Sequence, residues 1–283
     1  MLIDLHATHR KADSTKPRVA VIIPAFNEAG GVGRVLGAIP RELVDDITVV
    51  NDHSTDGTVL ESIRNGATHV VTSRSRGVGA AIKTGYHEGL IRGADVLLVL
   101  AGDGQHDPHE IPKFLELIRR GVADYVAGDR LTSSPRRDGM SPLRFFGNRL
   151  LTVATRVVTG IDVRDSQCGY TAITREALMS LDLERITDSW GVPNDFLIEC
   201  ACRGLRVKYV PVKARAGFRP SYIRLRSYIP RMAFILFRGA LRIARSRMDH
   251  GQMHWSYPAS EVGEPPRARS TSVSNQQSLQ SDS

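Results

Sequence analysis

Acidic and amide side chains follow two apolar runs of this sequence directly where each run ends. Asp52 comes shortly after the run at residues 47–50, and a carboxylate there can accept hydrogen bonds from the ribose or base of a nucleotide. Asp103 and Gln105 come shortly after the run at residues 96–100, and such oxygen ligands suit Mg²⁺ or Mn²⁺ bridging phosphates. Each segment alone also fits an ordinary polar turn.

Two further segments have the residue types of nucleotide or phosphate loops. PAFNE follows the first apolar run, and its Pro24, Asn27 and Glu28 taken alone predict a turn between a strand and a helix. A glycine-rich segment that includes Gly79 resembles a phosphate cradle. Its place after the third run does not fit the dinucleotide fingerprint, and it lacks the Gly-Lys-Ser/Thr of a P-loop.

The apolar runs are short and alternate with helical patterns, which predicts an α/β fold. We expect a mostly parallel, Rossmann-like sheet with helices on both faces, and ligands at the carboxyl ends of its strands. Later in the chain we expect helices at 142–159 and 175–181 and a strand at 207–212. The predicted strands of the first half are 19–23, 47–50, 69–71, 96–100 and 125–127, and the predicted helices are 31–39, 58–65, 79–91 and 111–120.

The domain organisation follows from these patterns. Residues 1–17 are polar and predict a flexible leader, and residues 18–226 contain the alternating elements of one domain. Residues 227–248 predict a basic amphipathic helix. Residues 249–283 are rich in Ser and Gln and predict a disordered tail.

Positive charge is concentrated near the end of the chain, which has 283 residues and a formal net charge of +8. Residues 203–248 contain thirteen Lys or Arg and no Asp or Glu, which favours an anionic partner. The longest apolar stretch there, 232–237, is far shorter than the ~20 residues that span a bilayer. Three cysteines without a C-x-x-C pattern give no disulfide or zinc framework. We expect a cytoplasmic protein, and the sequence has no nucleic-acid-binding signature.

The order and spacing of the polar motifs resemble those of the family 2 glycosyltransferases of GT-A fold. The similarity is greatest to the dolichyl- and polyprenyl-phosphate mannosyl- and glucosyltransferases, and it extends over roughly residues 18–226. The motifs that carry it are, in order, PAFNE, VNDHSTDGT, the glycine-rich helix start, GDGQHDP, GDRL and DSQCGY.

The resemblance implies a role for each matching residue. The expected catalytic residues are Asp103, Asp165 and Arg130, and the expected metal-contacting residues are Asp103 and Gln105. The donor-binding residues would be Pro24, Asn27, Glu28, Asp52, Gly79, Asp103 and Arg130. The residues on the side of the acceptor and the phosphates would be Ser166, Arg219, Ser221 and Arg224.

Two positions depart from the pattern of the family. Asn51 stands where the first of two paired acids is expected, and Ala101 stands where the first Asp of the D-x-D motif is expected. Asp103 is therefore the one carboxylate of that motif. A site of this kind still suits Mg²⁺ or Mn²⁺, because Mg²⁺ commonly uses one or two carboxylates together with water and phosphate oxygens.

The resemblance implies an inverting hexosyltransferase that moves a hexose from GDP-mannose or a UDP-sugar to a polyprenyl or dolichyl phosphate at the cytoplasmic face of a membrane. A phosphate oxygen is already ionised near neutral pH, so this acceptor needs no strong general base. One alternative keeps the donor but uses a soluble glycan or metabolite as acceptor. A second, motivated by Ala101 and Asn51, is a non-catalytic protein that binds a nucleotide sugar.

The basic helix predicted at 227–248 fits a lipid acceptor. Four arginines alternate with apolar residues, which predicts a cationic stripe that lies on an anionic membrane surface. The alternative is a helix that packs on the domain with its arginines in solvent. The sequence makes no prediction of an oligomeric state. The four arginines are Arg231, Arg238, Arg242 and Arg245.

Overall fold

The computed structural model of this protein describes residues 3–4, 16–132, 141–213 and 225–252 of the 283. In this part of the chain, eight strands form one sheet with the order β1-β4-β3-β2-β5-β7-β6-β8. The strands are β1 (Ile3–Asp4), β2 (Val19–Ala25), β3 (Asp46–Asn51), β4 (His69–Thr72), β5 (Val96–Val99), β6 (Tyr125–Asp129), β7 (Thr171–Thr174) and β8 (Val207–Pro211).

The predicted α/β fold with a mostly parallel sheet is confirmed. β2 pairs in parallel with β3 and β5, β3 with β4, and β6 with β8. β7 runs antiparallel between β5 and β6, and no strand was predicted there. Within the expected flexible leader, β1 forms an antiparallel pair with β4.

Eight α-helices accompany the strands in the described residues, and they include every helix that the sequence patterns predicted. They are α1 (Val32–Gly37), α2 (Thr58–Arg64), α3 (Val78–Ile91), α4 (Ile111–Arg119), α5 (Pro142–Thr159), α6 (Arg175–Ser180), α7 (Val192–Cys202) and α8 (Leu225–Gln252). α8 runs four residues beyond the boundary predicted at 248, and the rest of the predicted tail lies outside the described residues.

The strands are buried on both faces because their side chains alternate between two apolar layers. Val21 and Ile23 of β2 belong to the layer that contains Phe114 of α4. Ile22 belongs to the opposite layer, together with Tyr86 of α3. This double burial makes the centre of the sheet a rigid support for the loops at its edge.

α5 and α8 extend the molecule beyond the two layers of the sheet. α5 begins where the Ser141 side chain accepts a hydrogen bond from the Arg144 amide (3.3 Å), and it ends at Gly160, whose φ is +71°. α8 packs on α7 through a third apolar cluster that contains Ile198, Met232 and Ile235. The described residues include no helix with the length and apolar character needed to cross a membrane.

Candidate functional site

The sequence-predicted polar residues meet at one edge of the sheet. Asp52, Asp103 and Arg130 each follow the carboxyl end of a strand, namely β3, β5 and β6. β7 runs in the opposite direction, so the segment that precedes it, including Asp165 and Ser166, reaches the same edge. The antiparallel strand therefore explains how a motif before β7 joins motifs that follow parallel strands.

Asp52 is held by the loop that leads into α3. The backbone N–H of Gly77 donates to both carboxylate oxygens of Asp52, at 2.9 and 3.0 Å. Partial burial raises the pKa of Asp52, while the Gly77 N–H and the nearby His53 and Arg76 act in the opposite direction. The carboxylate is partly exposed and is positioned to accept a further hydrogen bond from a ligand.

Asn27 and Glu28 join the loop after β2 to the loop after β3. The Asn27 side-chain oxygen accepts from the Thr55 N–H (2.8 Å), and the Glu28 N–H donates to the Thr58 hydroxyl (2.8 Å). Asn27 adopts a left-handed conformation with φ of 54°. Pro24 lies within β2 itself. The hydrogen bonds of Asn27 and Glu28 therefore hold these two loops together near Asp52.

Asn51, which replaces an expected acid, has a structural contact in the same region. Its side-chain oxygen accepts a hydrogen bond from the Ser54 N–H at 2.9 Å, and the residue is buried. An amide oxygen can make this contact without bringing a second negative charge next to Asp52. Asn51, although it departs from the family pattern, therefore stabilises the loop after β3.

Gly79 packs closely against another segment. Its N–H donates to the carbonyl of Asp188 (2.9 Å), and the Ala80 N–H donates to the same oxygen (3.2 Å). A Cβ atom on Gly79 would overlap the carbonyl of Thr187. The expected phosphate cradle thus uses two of its amides within the protein, and the lack of a side chain at Gly79 is required by packing.

Asp103 lies in a tight loop after β5. The backbone N–H of Gln105 donates to Oδ1 of Asp103 (2.9 Å), and the Gln105 side-chain amide donates to Oδ2 (2.6 Å). Burial raises the pKa of Asp103, and the hydrogen bonds from Gln105 oppose that shift. Gln105 therefore turns a donor toward the carboxylate and supports it, while its own oxygen faces Arg144 at 3.4 Å.

The buried His106 makes contacts that fix the backbone of this loop. Its Nδ1 accepts a hydrogen bond from the N–H of Ala101 (3.1 Å), and its ring stacks on Tyr170. Burial, followed by the charge of Arg130, lowers the pKa of His106 to about 3. His106 is therefore neutral at physiological pH and fixes the backbone at the position where the expected first acid is replaced.

Arg130 and Asp165 form a buried ion pair. Nε of Arg130 lies 2.8 Å from Oδ2 of Asp165, and Nη2 lies 3.1 Å from Oδ1. Burial disfavours the charge of Arg130, but Asp165, together with Cys168 and Tyr228, outweighs this and the pKa of Arg130 is raised. Asp165 thus orients Arg130 and keeps it charged.

Arg144 is a site residue that sequence reasoning missed. It lies in the first turn of α5, keeps much of its surface in solvent, and is close to Gln105. Partial burial and then the charge of Arg130 lower the pKa of Arg144, whereas Asp103 raises it. An exposed arginine beside the loop that holds Asp103 favours an anionic ligand at this end of the site.

Ser166, which was expected on the acceptor side, belongs to a polar network. Its N–H donates to the Thr152 hydroxyl (3.1 Å), and its hydroxyl accepts from the Gln167 side chain (2.9 Å). The Tyr228 hydroxyl of α8 donates to the Gln167 side-chain oxygen. The other three residues expected near the phosphates, Arg219, Ser221 and Arg224, lie outside the described residues.

Two arginines of α8 pair with buried carboxylates of α7, which corrects the predicted cationic stripe at these two positions. Arg238 pairs with the buried Asp195, and Arg242 pairs with the buried Glu199. Buried carboxylates need such partners, and α7 places both on its side toward α8. α8 also exposes the apolar side chains of Phe234, Phe237 and Leu241, which are 47–67 % exposed.

α5, which contacts both α7 and α8, also has an apolar outer surface. Five of its side chains are 51–78 % exposed and recur at the three- and four-residue spacing of one helix face. A continuous exposed apolar face of this kind often marks a site of contact with a protein or a membrane. The five are Leu143, Phe146, Leu150, Val153 and Val157.

Asp103 is the residue that fits a divalent cation. The described residues contain no group of three or more His, Cys, Asp or Glu that could hold a metal by itself. A single, partly buried carboxylate nevertheless suits Mg²⁺ or Mn²⁺ when a diphosphate supplies further oxygens. Gln105 would contribute to such a site by orienting Asp103.

Comparison with known families identifies a match to the model of "Glycosyl transferase family 2" over residues 20–182. The chain is 32 % identical to the glycosyltransferase AglJ of Haloferax volcanii over 70 % of this chain and 63 % of that protein. It is 31 % identical to the undecaprenyl-phosphate mannosyltransferase of Micrococcus luteus, over 69 % and 82 %. It is 34 % identical to the polyprenol monophosphomannose synthase of Mycolicibacterium smegmatis, over 62 % and 68 %.

The fold is shared with solved structures. The glucosyl-3-phosphoglycerate synthase of Mycobacterium tuberculosis, in complex with Mn²⁺, UDP and phosphoglyceric acid, superposes with a TM-score of 0.63. The superposition covers 79 % of this chain and 78 % of that chain, at 22 % identity. The same protein with Mn²⁺, UDP-glucose and phosphoglyceric acid gives the same TM-score.

Proposed function

Because this chain belongs to glycosyl transferase family 2 and has the GT-A fold, we propose that it transfers a hexose from a nucleotide diphosphate sugar to a polyprenyl phosphate. The observation that carries the proposal is the position of Arg144. Its Nη2 lies 3.4 Å from the side-chain oxygen of Gln105, which holds Asp103, and it lies in the first turn of the helix whose outer face is apolar. An anion site at one end of an apolar helix fits an acceptor that joins a phosphate to a hydrocarbon chain.

The donor would bind across the ends of β3 and β5. The Asp52 carboxylate accepts from the ribose or base, and Asp103 faces the diphosphate. Bound Mg²⁺ or Mn²⁺ at Asp103 would neutralise charge that develops on the departing nucleoside diphosphate. Arg130 is preorganised by Asp165 to stabilise the same charge, and it pays little reorganisation cost because it is already fixed.

The acceptor phosphate would lie between Arg130 and Arg144. One of its ionised oxygens attacks the anomeric carbon and forms the new C–O bond. The bond between that carbon and the diphosphate oxygen breaks, its electron pair leaves with the nucleoside diphosphate, and the configuration inverts. No proton has to be removed from the nucleophile, so the site needs no strong general base.

Membrane contact is part of the proposal and rests on α5 and α8. Their exposed apolar side chains would enter the interface of the cytoplasmic membrane face, which brings the site to its lipid substrate. The names of two relatives, an undecaprenyl-phosphate mannosyltransferase and a polyprenol monophosphomannose synthase, support a lipid-phosphate acceptor.

A transfer assay tests this function and separates the alternatives. GDP-mannose and UDP-sugars are each incubated with a detergent-dispersed polyprenyl phosphate, or with soluble saccharides, in Mg²⁺, Mn²⁺ or EDTA. We expect metal-dependent transfer from one donor to the lipid. Transfer only to soluble acceptors would replace the lipid by a soluble substrate, and donor binding without any turnover would support a binding protein.

A further inference from the structure

A cluster of four charges joins α7 to α8 away from the ligands proposed above. Asp195 and Glu199 lie one turn apart on α7 and are 0 % and 2 % exposed. Nη2 of Arg238 lies 2.9 Å from both carboxylate oxygens of Asp195, and Arg242 pairs with Glu199. Since a buried carboxylate without a cation is strongly disfavoured, these pairs fix how α8 sits on α7.

Asp195 makes a contact that distinguishes it from Glu199. Its Oδ2 accepts a hydrogen bond from the N–H of Thr187 at 3.0 Å. Within the described part of the chain, no hydrogen bond joins Glu199 to residues 187–189, which we name the 187–189 segment. α8 also reaches this segment directly, because Arg231 donates to the Ser189 hydroxyl at 2.9 Å.

The other side of the 187–189 segment touches the loop that holds Asp52. The Asp188 carbonyl accepts from two amides of the first turn of α3, as described for Gly79. A Cβ atom on Gly77 would overlap the same Asp188 carbonyl, and the φ of Gly77 is +121°. Gly77 in turn donates its N–H to both oxygens of Asp52.

We propose that Asp195 is a positioning residue for nucleotide binding. Through Thr187 it holds the 187–189 segment, and that segment fixes Gly77 and therefore the direction of the Asp52 carboxylate. The inference rests on the proposed function, in which Asp52 contacts the donor nucleotide. Asp195 is fully buried, so it acts through its neighbours and not on substrate.

Calorimetric titration of the full chain with UDP or GDP in the presence of MnCl₂ tests this role without needing turnover. Asp195→Asn and Glu199→Gln remove one buried charge each from the same cluster, but only the first changes the acceptor of the Thr187 N–H. We expect Asp195→Asn to weaken nucleotide affinity about tenfold, and Glu199→Gln to leave it close to that of the unmodified protein.

A second pair of variants uses exposed residues and does not depend on the buried cluster. Arg231→Ala removes the contact with Ser189, whereas Arg245→Ala removes another exposed arginine of α8. We expect Arg231→Ala to weaken nucleotide affinity about threefold and Arg245→Ala to leave it unchanged.

The outcomes separate the inference from the proposed function. Equal effects of Asp195→Asn and Glu199→Gln on nucleotide affinity would overturn the inference, because both would then act through stability alone. If Asp195→Asn does not fold, equal affinity of the Arg231→Ala and Arg245→Ala proteins overturns it instead. An unmodified protein that binds neither nucleotide would contradict the proposed function and the inference together.

Discussion

The end of the site that contains Asp52 and Asp103, where we propose that the donor binds, is held by short loops next to strand ends, whereas the end that contains Arg130 and Asp165 is held by side chains from segments far apart in the sequence. Gln105 supports Asp103 from two residues away, and Gly77 supports Asp52 from the next loop on the same edge. Arg130 instead depends on Asp165, 35 residues later. A substitution at Asp52 or Asp103 should therefore affect ligand binding, and a substitution at Arg130 or Asp165 should affect both folding and ligand binding.

Asp103→Asn should have the largest effect on activity of the substitutions considered. It should lower activity without lowering the stability of the protein. The variant would lose the charge that is proposed to hold a divalent cation at the diphosphate, and we expect turnover to fall by about 100- to 1000-fold. Because burial raises the pKa of Asp103, a neutral side chain there should not lower the stability of the protein. Steady-state transfer rates and urea unfolding measure the two quantities.

Asp162→Asn is the matched control for that variant, because Asp162 is 71 % exposed and lies on the loop after α5. Its transfer rate should equal that of the unmodified protein. An Asp103→Asn protein with undiminished metal-dependent transfer would show that the diphosphate is bound elsewhere.

Asp165→Asn should damage both stability and transfer. It leaves the buried Arg130 without its partner, and breaking a buried ion pair costs about 3–5 kcal/mol in the free energy of unfolding. The exposed pair of Arg156 and Asp162 should contribute only about 0–1 kcal/mol, so Asp162→Asn again serves as control. Urea titrations measure the free energy of unfolding of both variants. Equal losses would contradict the expectation that the buried pair contributes more than the exposed pair.

A charge on the apolar face of α5 should reduce membrane binding while leaving donor binding intact. Leu150→Glu places a carboxylate on this face, and we expect weaker co-sedimentation with phosphatidylglycerol vesicles and unchanged affinity for the nucleotide. Leu60→Glu on α2 introduces the same charge at a comparably exposed leucine away from α5. If both variants bind vesicles as the unmodified protein does, the α5 face is not a membrane surface.

Ionisation of Asp52 should change the stability of the protein and its nucleotide affinity with pH, and this effect should be smaller than those of the substitutions above. Burial raises its pKa above the ordinary 3.8 in the folded protein, so folding favours the protonated form. The stability from this group is fully present below pH 3.8 and is lost as the pH rises through the raised pKa. Nucleotide affinity should change in the opposite direction, because the ionised carboxylate is the better acceptor.

Asp52→Asn should remove this pH dependence from both unfolding and nucleotide titrations carried out between pH 3 and pH 7. His53 and Arg76 face the same carboxylate, so the affinity profile of a His53→Ala protein identifies any contribution from the imidazole. A profile that is unchanged in Asp52→Asn would assign the titration to another group.

Much of the site around Asp52 and Asp103 could be predicted, because the residues that determine it are close together in the sequence. Each apolar run and the polar residues after it lie within a few positions, and parallel strands bring their carboxyl ends to one edge. The sequence therefore indicated Asp52 and Asp103 before the structure placed them together. Their roles in binding remain predictions.

The part of the site around Arg130 and Asp165 was harder to predict, because its contacts depend on tertiary packing. The short antiparallel β7 has no turn signal that distinguishes it from a loop, and it decides where Asp165 lies. The orientation of α8 also could not be read from its composition. Its arginines predicted a membrane stripe, but two of them pair with carboxylates of α7 that are 43 residues away.

The most direct test of the account is transfer of a radiolabelled hexose to undecaprenyl phosphate by the unmodified, Arg144→Ala and Arg149→Ala proteins. Arg149 is an exposed arginine on the same helix, five residues after Arg144. We predict that label enters the lipid phase with the unmodified and Arg149→Ala proteins and falls at least about tenfold with Arg144→Ala. Label that stays in the aqueous phase with all three proteins would contradict a lipid-phosphate acceptor.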